Sequence, residues 1–217
     1  MIRLSRRALL LFAAIVPALP PPVRISQAAL ARADADTALD QPLRAFYAAL
    51  ETAMRAGQAA PFSRRFDLLA PVVDGVFDLK TVLKVSVGLR WDSMDPDVRT
   101  RLFEAFRRFT IATYVANFDR YDGERFEILP GLRGSGSDRI VNTEIITSGG
   151  QRLRLDYVMR DGSGVWRAVD VLVEGSISRV AVQRSDFRKI LANGDADALI
   201  ASLRRKIADL SDGALNS

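Results

Sequence analysis

The spacing of the apolar residues changes near Tyr121, and this change limits the fold more than any other feature of the chain. Before Tyr121 the apolar residues recur every three or four positions, as on one face of a helix. After it they alternate with polar residues in runs rich in Ile and Val, separated by Gly and Ser. Because helices and strands then occupy separate parts of the chain, the sequence predicts an α+β domain in which N-terminal helices pack on a curved antiparallel sheet.

Start and stop signals divide the first half into helices. Pro42 suits the first turn of a helix over residues 42–55. A short apolar stripe over residues 62–69 ends at Pro71, because proline disfavours a helix interior. Asp78 caps a helix that runs to about residue 87, and Asp95-Pro96 begins a longer helix that reaches residue 118.

The second half contains about four predicted strands, at residues 125–129, 140–147, 152–159 and 165–174. The turns between them are short enough for antiparallel hairpins. In the third strand Leu153, Leu155, Tyr157 and Met159 alternate with polar residues, which indicates one packed side and one wet side. Two C-terminal helices follow, one over residues 186–192 with Ser185 as its cap and one capped by Asp195.

The N-terminus is typical of a secretory signal peptide. Arg3, Arg6 and Arg7 precede an apolar run over residues 8–19, and Ala31-Arg32-Ala33 forms a small-residue cleavage site. We therefore predict a signal peptide over residues 1–33, cleavage after Ala33, and a single mature domain over residues 34–217 in the periplasm. The paired arginines leave both the general secretory route and the twin-arginine route open.

Composition excludes several classes of function. Removing the five arginines of the signal peptide from the 31 basic residues of the chain leaves 26, which equals the number of acidic residues. A nucleic-acid partner is therefore not expected. The chain contains no histidine and no cysteine, so serine–histidine and cysteine–histidine catalysis and the common zinc sites are excluded. We predict no catalytic residue, no metal and no cofactor.

Residues 166–187 read WRAVDVLVEGSISRVAVQRSDF and carry a resemblance to a known family. The chain resembles the MlaC family, also called the toluene-tolerance family, over about residues 40–210. The first group of matching residues is Trp166, Asp170, Val171, Val173, Glu174, Gly175, Arg184, Ser185 and Phe187. The second is Phe106, Phe109, Tyr114, Phe118 and Tyr121.

The resemblance implies a fold of the NTF2-like kind with an apolar pocket that binds a phospholipid. It also implies a periplasmic shuttle between two partners: a membrane-bound lipid ABC transporter complex in the inner membrane and an outer-membrane lipoprotein complex. A hopanoid-associated branch of the family, of the HpnM kind, would carry a polycyclic membrane lipid instead. The sequence leaves the choice between these lipids open.

A curved sheet covered by helices leaves a concave space between the two layers, and such spaces bind ligands through apolar surface. Large apolar residues on both layers are therefore expected to line a lipid pocket. The sequence does not tell which face of the last strand meets this pocket. The predicted lining is Phe77, Leu83, Phe106, Phe109, Tyr114, Phe118, Tyr157, Trp166, Val169 and Val171.

Two other functions stay open at this stage. An NTF2-like enzyme would need a buried carboxylate that faces the pocket, and Asp156 and Asp170 are the candidates. The simpler interpretation of both acids is a solvated or salt-bridged position on a strand. A structural component of an envelope complex would instead have a filled core and bind no ligand.

Overall fold

The computed structural model describes residues 27–215 and confirms the α+β class. Residues 1–26, which hold most of the predicted signal peptide, lie outside the described part. No helix within residues 27–215 is long and apolar enough to cross a membrane. The six helices are α1 (Gln27–Ala56), α2 (Phe62–Val76), α3 (Leu79–Val87), α4 (Pro96–Asn117), α5 (Arg179–Asn193) and α6 (Ala196–Leu210).

One antiparallel sheet follows α4 in the chain. Its strands are β1 (Arg125–Ile128), β2 (Arg133–Ser135), β3 (Asp138–Ile146), β4 (Arg152–Asp161), β5 (Trp166–Val173) and β6 (Ile177–Ser178). Their order is β1-β3-β4-β5-β6, and β2 pairs with β3. The four predicted strands are thus confirmed, whereas β2 and β6 were missed because two or three residues are too few to show alternation.

Two predicted helix limits are wrong, both at prolines. Pro42 lies inside α1 rather than in its first turn, and α2 continues beyond Pro71. An interior proline costs a helix about 3 kcal/mol. The apolar stripe continues across both positions, however, and the residues on either side, such as Leu39 with Leu43, are buried. Burial of this stripe in the tertiary structure outweighs the local cost.

Three predicted helix caps are confirmed. The carboxylates of Asp78, Asp95 and Asp195 accept hydrogen bonds from backbone N–H groups in the first turns of α3, α4 and α6, at 2.8 to 3.0 Å. Gly88 follows α3 with φ +71°, a conformation that suits glycine. The three aspartate caps are predictable from sequence because each accepts a hydrogen bond from a backbone N–H group that the helix itself leaves unpaired.

The predicted start of α5 is wrong. The helix begins at Arg179, and its cap is Ser178, whose Oγ accepts from the N–H of Ala181 at 2.9 Å, so Ser185 lies inside the helix. Val180 and Val182 alternate with other residues as they would on a strand, so the sequence does not show that the first turn of α5 is helical. Val180 is buried and Val182 is exposed, as the two sides of a helix require.

The helices form a layer on one face of the sheet. Helices α1, α2, α3 and α5 all contact β5, while α4 packs against α2, α3 and α6. A backbone hydrogen bond of 3.0 Å, from the N–H of Asp78 to the carbonyl of Ala168, ties the end of α2 to the sheet. The pocket predicted from the sequence would lie between these two layers.

Candidate functional site: an aromatic layer between helices and sheet

Seven aromatic rings meet between the helices and the sheet, and we call this cluster the aromatic layer. Phe46 makes edge-to-face contacts with Phe77 and Tyr114, with centroids 5.4 and 5.0 Å apart. Tyr47 stacks on Phe126 at 4.8 Å. Such pairs add about 0.5–1.5 kcal/mol each beyond their apolar burial. The members are Phe46, Tyr47, Phe77, Tyr114, Phe118, Phe126 and Tyr157.

The periodicity of the sequence brings these rings together. Tyr114 and Phe118 are four residues apart at the end of α4 and therefore lie on one side of the helix. On the sheet, Tyr157 pairs with Val141 and with Val171, so the three side chains share the face that meets the helices. Phe126 pairs with Ile145 on the same face.

The buried hydroxyl groups keep the layer uncharged. The hydroxyls of Tyr47 and Thr143 form a hydrogen bond of 2.6 Å, and the Thr143 hydroxyl donates to the carbonyl of Leu155. Burial raises the pKa of Tyr47 to about 12, and it also raises the pKa values of Tyr114 and Tyr157. All three side chains are therefore neutral at ordinary pH, and the layer presents rings and hydroxyls but no charge.

The predicted pocket residues fall into two groups. Phe77, Tyr114, Phe118 and Tyr157 belong to the aromatic layer, and Val171 lies beside Tyr157 on the inner face of the sheet. Phe46, Tyr47 and Phe126 also belong to this layer but are not among the predicted lining residues, although Phe126 lies in the aromatic cluster of the sequence. Phe46 and Tyr47 do lie on the apolar stripe of the first predicted helix, but the stripe does not tell which layer it faces.

The other predicted lining residues make no ring contact with the aromatic layer within residues 27–215. Leu83 is fully buried in α3, and Phe106 is 1% exposed and meets Phe187 edge to face at 6.2 Å. Phe109 is half-buried, with the Nζ of Lys206 5.6 Å from its ring. Trp166 is half-buried at the first residue of β5, where it pairs with Asp161.

A β-bulge separates Val169 from Val171. The register of β5 against β4 shifts between Val158 and Met159, which pair with Asp170 and Ala168 and leave Val169 between them. The parity that placed Val169 and Val171 on one strand face is therefore wrong, because a bulge inserts one extra residue. Ala168 is part of the main hydrophobic core, and Val171 packs against that core. Val169 is also buried, but it is not part of this core.

The two candidate acids do not face the aromatic layer. Asp156 alternates with Tyr157 on β4 and points to the opposite face, where its fully buried carboxylate pairs with Arg133 and Arg154. Asp170 accepts hydrogen bonds from the hydroxyl of Ser178 and from the N–H of Val180, so it anchors the start of α5. The salt-bridged interpretation of Asp156 is confirmed, and both carboxylates are engaged in holding the fold.

Two surface cavities lie beside α4, with volumes of about 480 and 320 Å³. Both include Thr100, and neither is lined by a ring of the aromatic layer. Their walls carry basic side chains, among them Arg101, Arg204 and Lys80. A charged wall is a poor surface for an acyl chain, because each charge would lose hydration without a partner.

These features define a class: an α+β domain whose helices cover one face of an antiparallel sheet, with an uncharged aromatic layer between them. The model of the MlaC protein family matches residues 45–205, and the chain belongs to that family. It is also similar to a solved structure of a phospholipid-binding protein from Ralstonia solanacearum in complex with a phospholipid. That likeness has a TM-score of 0.66 at 20% identity and covers 83% of this chain and 98% of the other. No curated protein matches this chain.

Proposed function

We propose that this protein carries a phospholipid through the periplasm with its acyl chains held at the aromatic layer. The observation that carries the proposal is an uncharged layer of seven rings between helices and sheet in a chain of the MlaC family. MlaC proteins are periplasmic, and a protein of the same fold binds a phospholipid. The lining would consist of the aromatic layer together with Val171, rather than all ten residues predicted from sequence.

Apolar burial supplies enough affinity for such a ligand. Each methylene removed from water contributes about 0.8 kcal/mol, so two acyl chains offset a large cost of opening the protein. Opening is required because the rings of the helices touch the rings of the sheet, as Tyr47 touches Tyr157 at 6.1 Å between centroids. Phe118 and Phe126 are half-buried and mark the edge through which the chains would enter. The head group would stay in solvent.

The layer fits a carrier better than an enzyme. Its hydroxyl groups are neutral, and the candidate carboxylates Asp156 and Asp170 have partners on the other side of the sheet or at the start of α5. A bound lipid would therefore meet apolar surface and leave unchanged. Transfer would follow differences in affinity between the carrier and its partners, for which we propose the inner-membrane transporter complex and the outer-membrane lipoprotein complex.

A polycyclic lipid of the hopanoid-associated branch is the alternative ligand, since a flat ring system could also pack on aromatic side chains. The identity of the lipid extracted from the purified protein decides between the two. Export through a signal peptide over residues 1–33 is part of the same proposal. N-terminal sequencing of the periplasmic protein should give a start at Asp34, and recovery of the whole chain in the membrane pellet would contradict it.

The function is tested by transfer of a labelled phospholipid from donor vesicles or a lipid-loaded partner complex to acceptor vesicles. The protein should accelerate transfer, and chromatography should show the same lipid before and after incubation. Chemical conversion of the lipid would favour an enzyme. Failure to bind any phospholipid or polycyclic lipid would leave the structural component as the better account.

A further inference from the structure

Leu89 is the most exposed large apolar side chain among residues 37–192 and 194–215, with 94% of its surface in water. It lies in the 3₁₀ turn Gly88–Arg90 that directly follows α3. The positive φ of Gly88 reverses the chain there and leaves Leu89 at the tip. A leucine at such a position adds little to the core and is available for contact with another surface.

Two more exposed apolar residues lie on α3 and α5, the two helices that pack together beside this turn. Val85, one helical turn earlier on α3, is 45% exposed, and Val182 on α5 is 41% exposed. Helices α3 and α5 pack together at this end, where the hydroxyl of Ser86 bonds the side chain of Gln183 at 3.4 Å. We call Val85, Leu89 and Val182 the Leu89 patch.

Basic side chains lie close to the turn that carries Leu89. The guanidinium of Arg184 lies 3.6 Å from the point where a Cβ on Gly88 would stand, and Arg90 follows Leu89 directly. Arg188 lies one turn further along α5. All three are exposed, and within residues 27–215 none of them forms an ion pair.

Asp92 and Asp186, the carboxylates close in sequence to these arginines, are each paired with a lysine and so do not neutralise them. Asp92 pairs with Lys84 at 3.2 Å, and Asp186 pairs with Lys189 at 3.3 Å. The surface around the Leu89 patch is therefore locally positive, although the mature chain as a whole is close to neutral.

We propose that the Leu89 patch docks the protein on an anionic lipid bilayer surface. A protruding apolar side chain can enter the interface between head groups and acyl chains, while the arginines around it meet lipid phosphates. A flat, anionic bilayer accepts such a convex tip without a prepared pocket, whereas a protein partner would need one. The proposal does not depend on the aromatic layer, so it extends the proposed function and can fail separately from it.

Flotation with vesicles tests the docking. The full mature protein should float with vesicles of equal parts phosphatidylglycerol and phosphatidylcholine, and less with phosphatidylcholine alone. Leu89→Ser should lower the bound fraction about five-fold, since the apolar contact is lost. The matched control is Val165→Ser in the β4–β5 turn, which is 51% exposed and far along the chain from the patch, and it should bind like the wild type.

A second variant separates charge from apolar contact. The double change Arg90→Gln and Arg184→Gln should remove most of the preference for phosphatidylglycerol, and high salt should do the same to the wild type. The lipid content of all variants after organic extraction should equal that of the wild type. A wild type that does not float, or a Leu89→Ser variant that floats equally well, would overturn the proposal.

Discussion

The aromatic layer and the core between α4, α5 and α6 are both apolar, but they are built differently. We call the second region the helical core. Its side chains are almost completely buried and mostly aliphatic, with a single aromatic pair: Leu102, Phe106, Phe187, Leu199, Leu203 and Ile207. In the aromatic layer Tyr114, Phe118 and Phe126 are only half-buried, and three members carry hydroxyl groups.

This difference indicates which region can open. Interdigitated aliphatic side chains lose most of their contacts when helices separate, and nothing in the helical core would replace them. Flat rings at a partly exposed edge can part from one another and regain contact with an acyl chain. The comparison supports the proposal that ligand binds at the aromatic layer, while the helical core contributes mainly to stability.

The largest effect on stability is expected from Phe106→Ala in the helical core. The ring is 1% exposed, and its loss should lower the free energy of unfolding by about 3–5 kcal/mol. Chemical denaturation measures this loss. The amount of lipid per folded molecule should not change, and a selective loss of lipid would break the assignment of Phe106 to the helical core.

Alkaline pH should affect the aromatic layer first. The folded pKa of Tyr47 is about 12 against 10 for an ordinary tyrosine, so its contribution to stability is complete below pH 10 and is lost as the pH rises to 12. The pKa values of Tyr114 and Tyr157 are raised in the same direction. Each tyrosine contributes a slope of up to about 1.4 kcal/mol per pH unit.

Tyr47→Phe isolates one of these three contributions. It should cost about 1 kcal/mol at neutral pH through the lost hydrogen bond to Thr143, and the slope above pH 10 should become shallower. Denaturation curves across this pH range give both quantities. An unchanged slope would show that Tyr47 ionises without unfolding and is not held in an apolar layer.

A pair of substitutions compares the aromatic layer with a half-buried ring of α4 outside it. Phe118 ends α4 in the aromatic layer, and Phe109 lies nine residues earlier against Lys206; both rings are half-buried. Phe118→Ser and Phe109→Ser should each lower stability by about 1–3 kcal/mol. Only Phe118→Ser should reduce bound phospholipid, by about ten-fold at equal protein concentration. Equal lipid content in the two variants would contradict a specific role of the aromatic layer in binding.

The smallest effect is expected on the outer face of the sheet, which belongs to neither region. The guanidinium of Arg160 donates two hydrogen bonds to Asp138, at 2.7 and 2.8 Å, and holds the pKa of that carboxyl below its usual value. The contribution of this ion pair to stability is complete above the ordinary pKa of an aspartate, and it is lost as the pH falls below that value through the lowered pKa of Asp138. Arg160→Gln should cost less than about 1 kcal/mol at pH 7 and change neither lipid content nor transfer.

Local signals predicted most of the fold. The caps Asp78, Asp95 and Asp195 and the four longer strands follow from residue chemistry within a few positions. The wrong predictions are helix limits that depend on contacts between residues far apart in the sequence. Proline is tolerated inside α1 and α2 because neighbouring residues are buried by other elements, and the first turn of α5 resembles a strand until its packing is known.

The candidate site could be predicted only in part, for a similar reason. Phe106 in α4 and Phe118 directly after it are both apolar, but twelve residues separate them by about 18 Å along the helix axis. Apolar character alone does not show that the two rings meet different partners. The bulge at Val169 likewise depends on the pairing of β5 with β4, which alternation along β5 alone does not contain.

The most direct test of the central claim is mass spectrometry of an organic extract from the purified mature protein. The account predicts an intact phospholipid with two acyl chains, in about a one-to-one ratio with wild type and with Phe109→Ser, and strongly depleted in Phe118→Ser. An extract without lipid, or one equally rich in lipid from Phe118→Ser, would contradict binding at the aromatic layer.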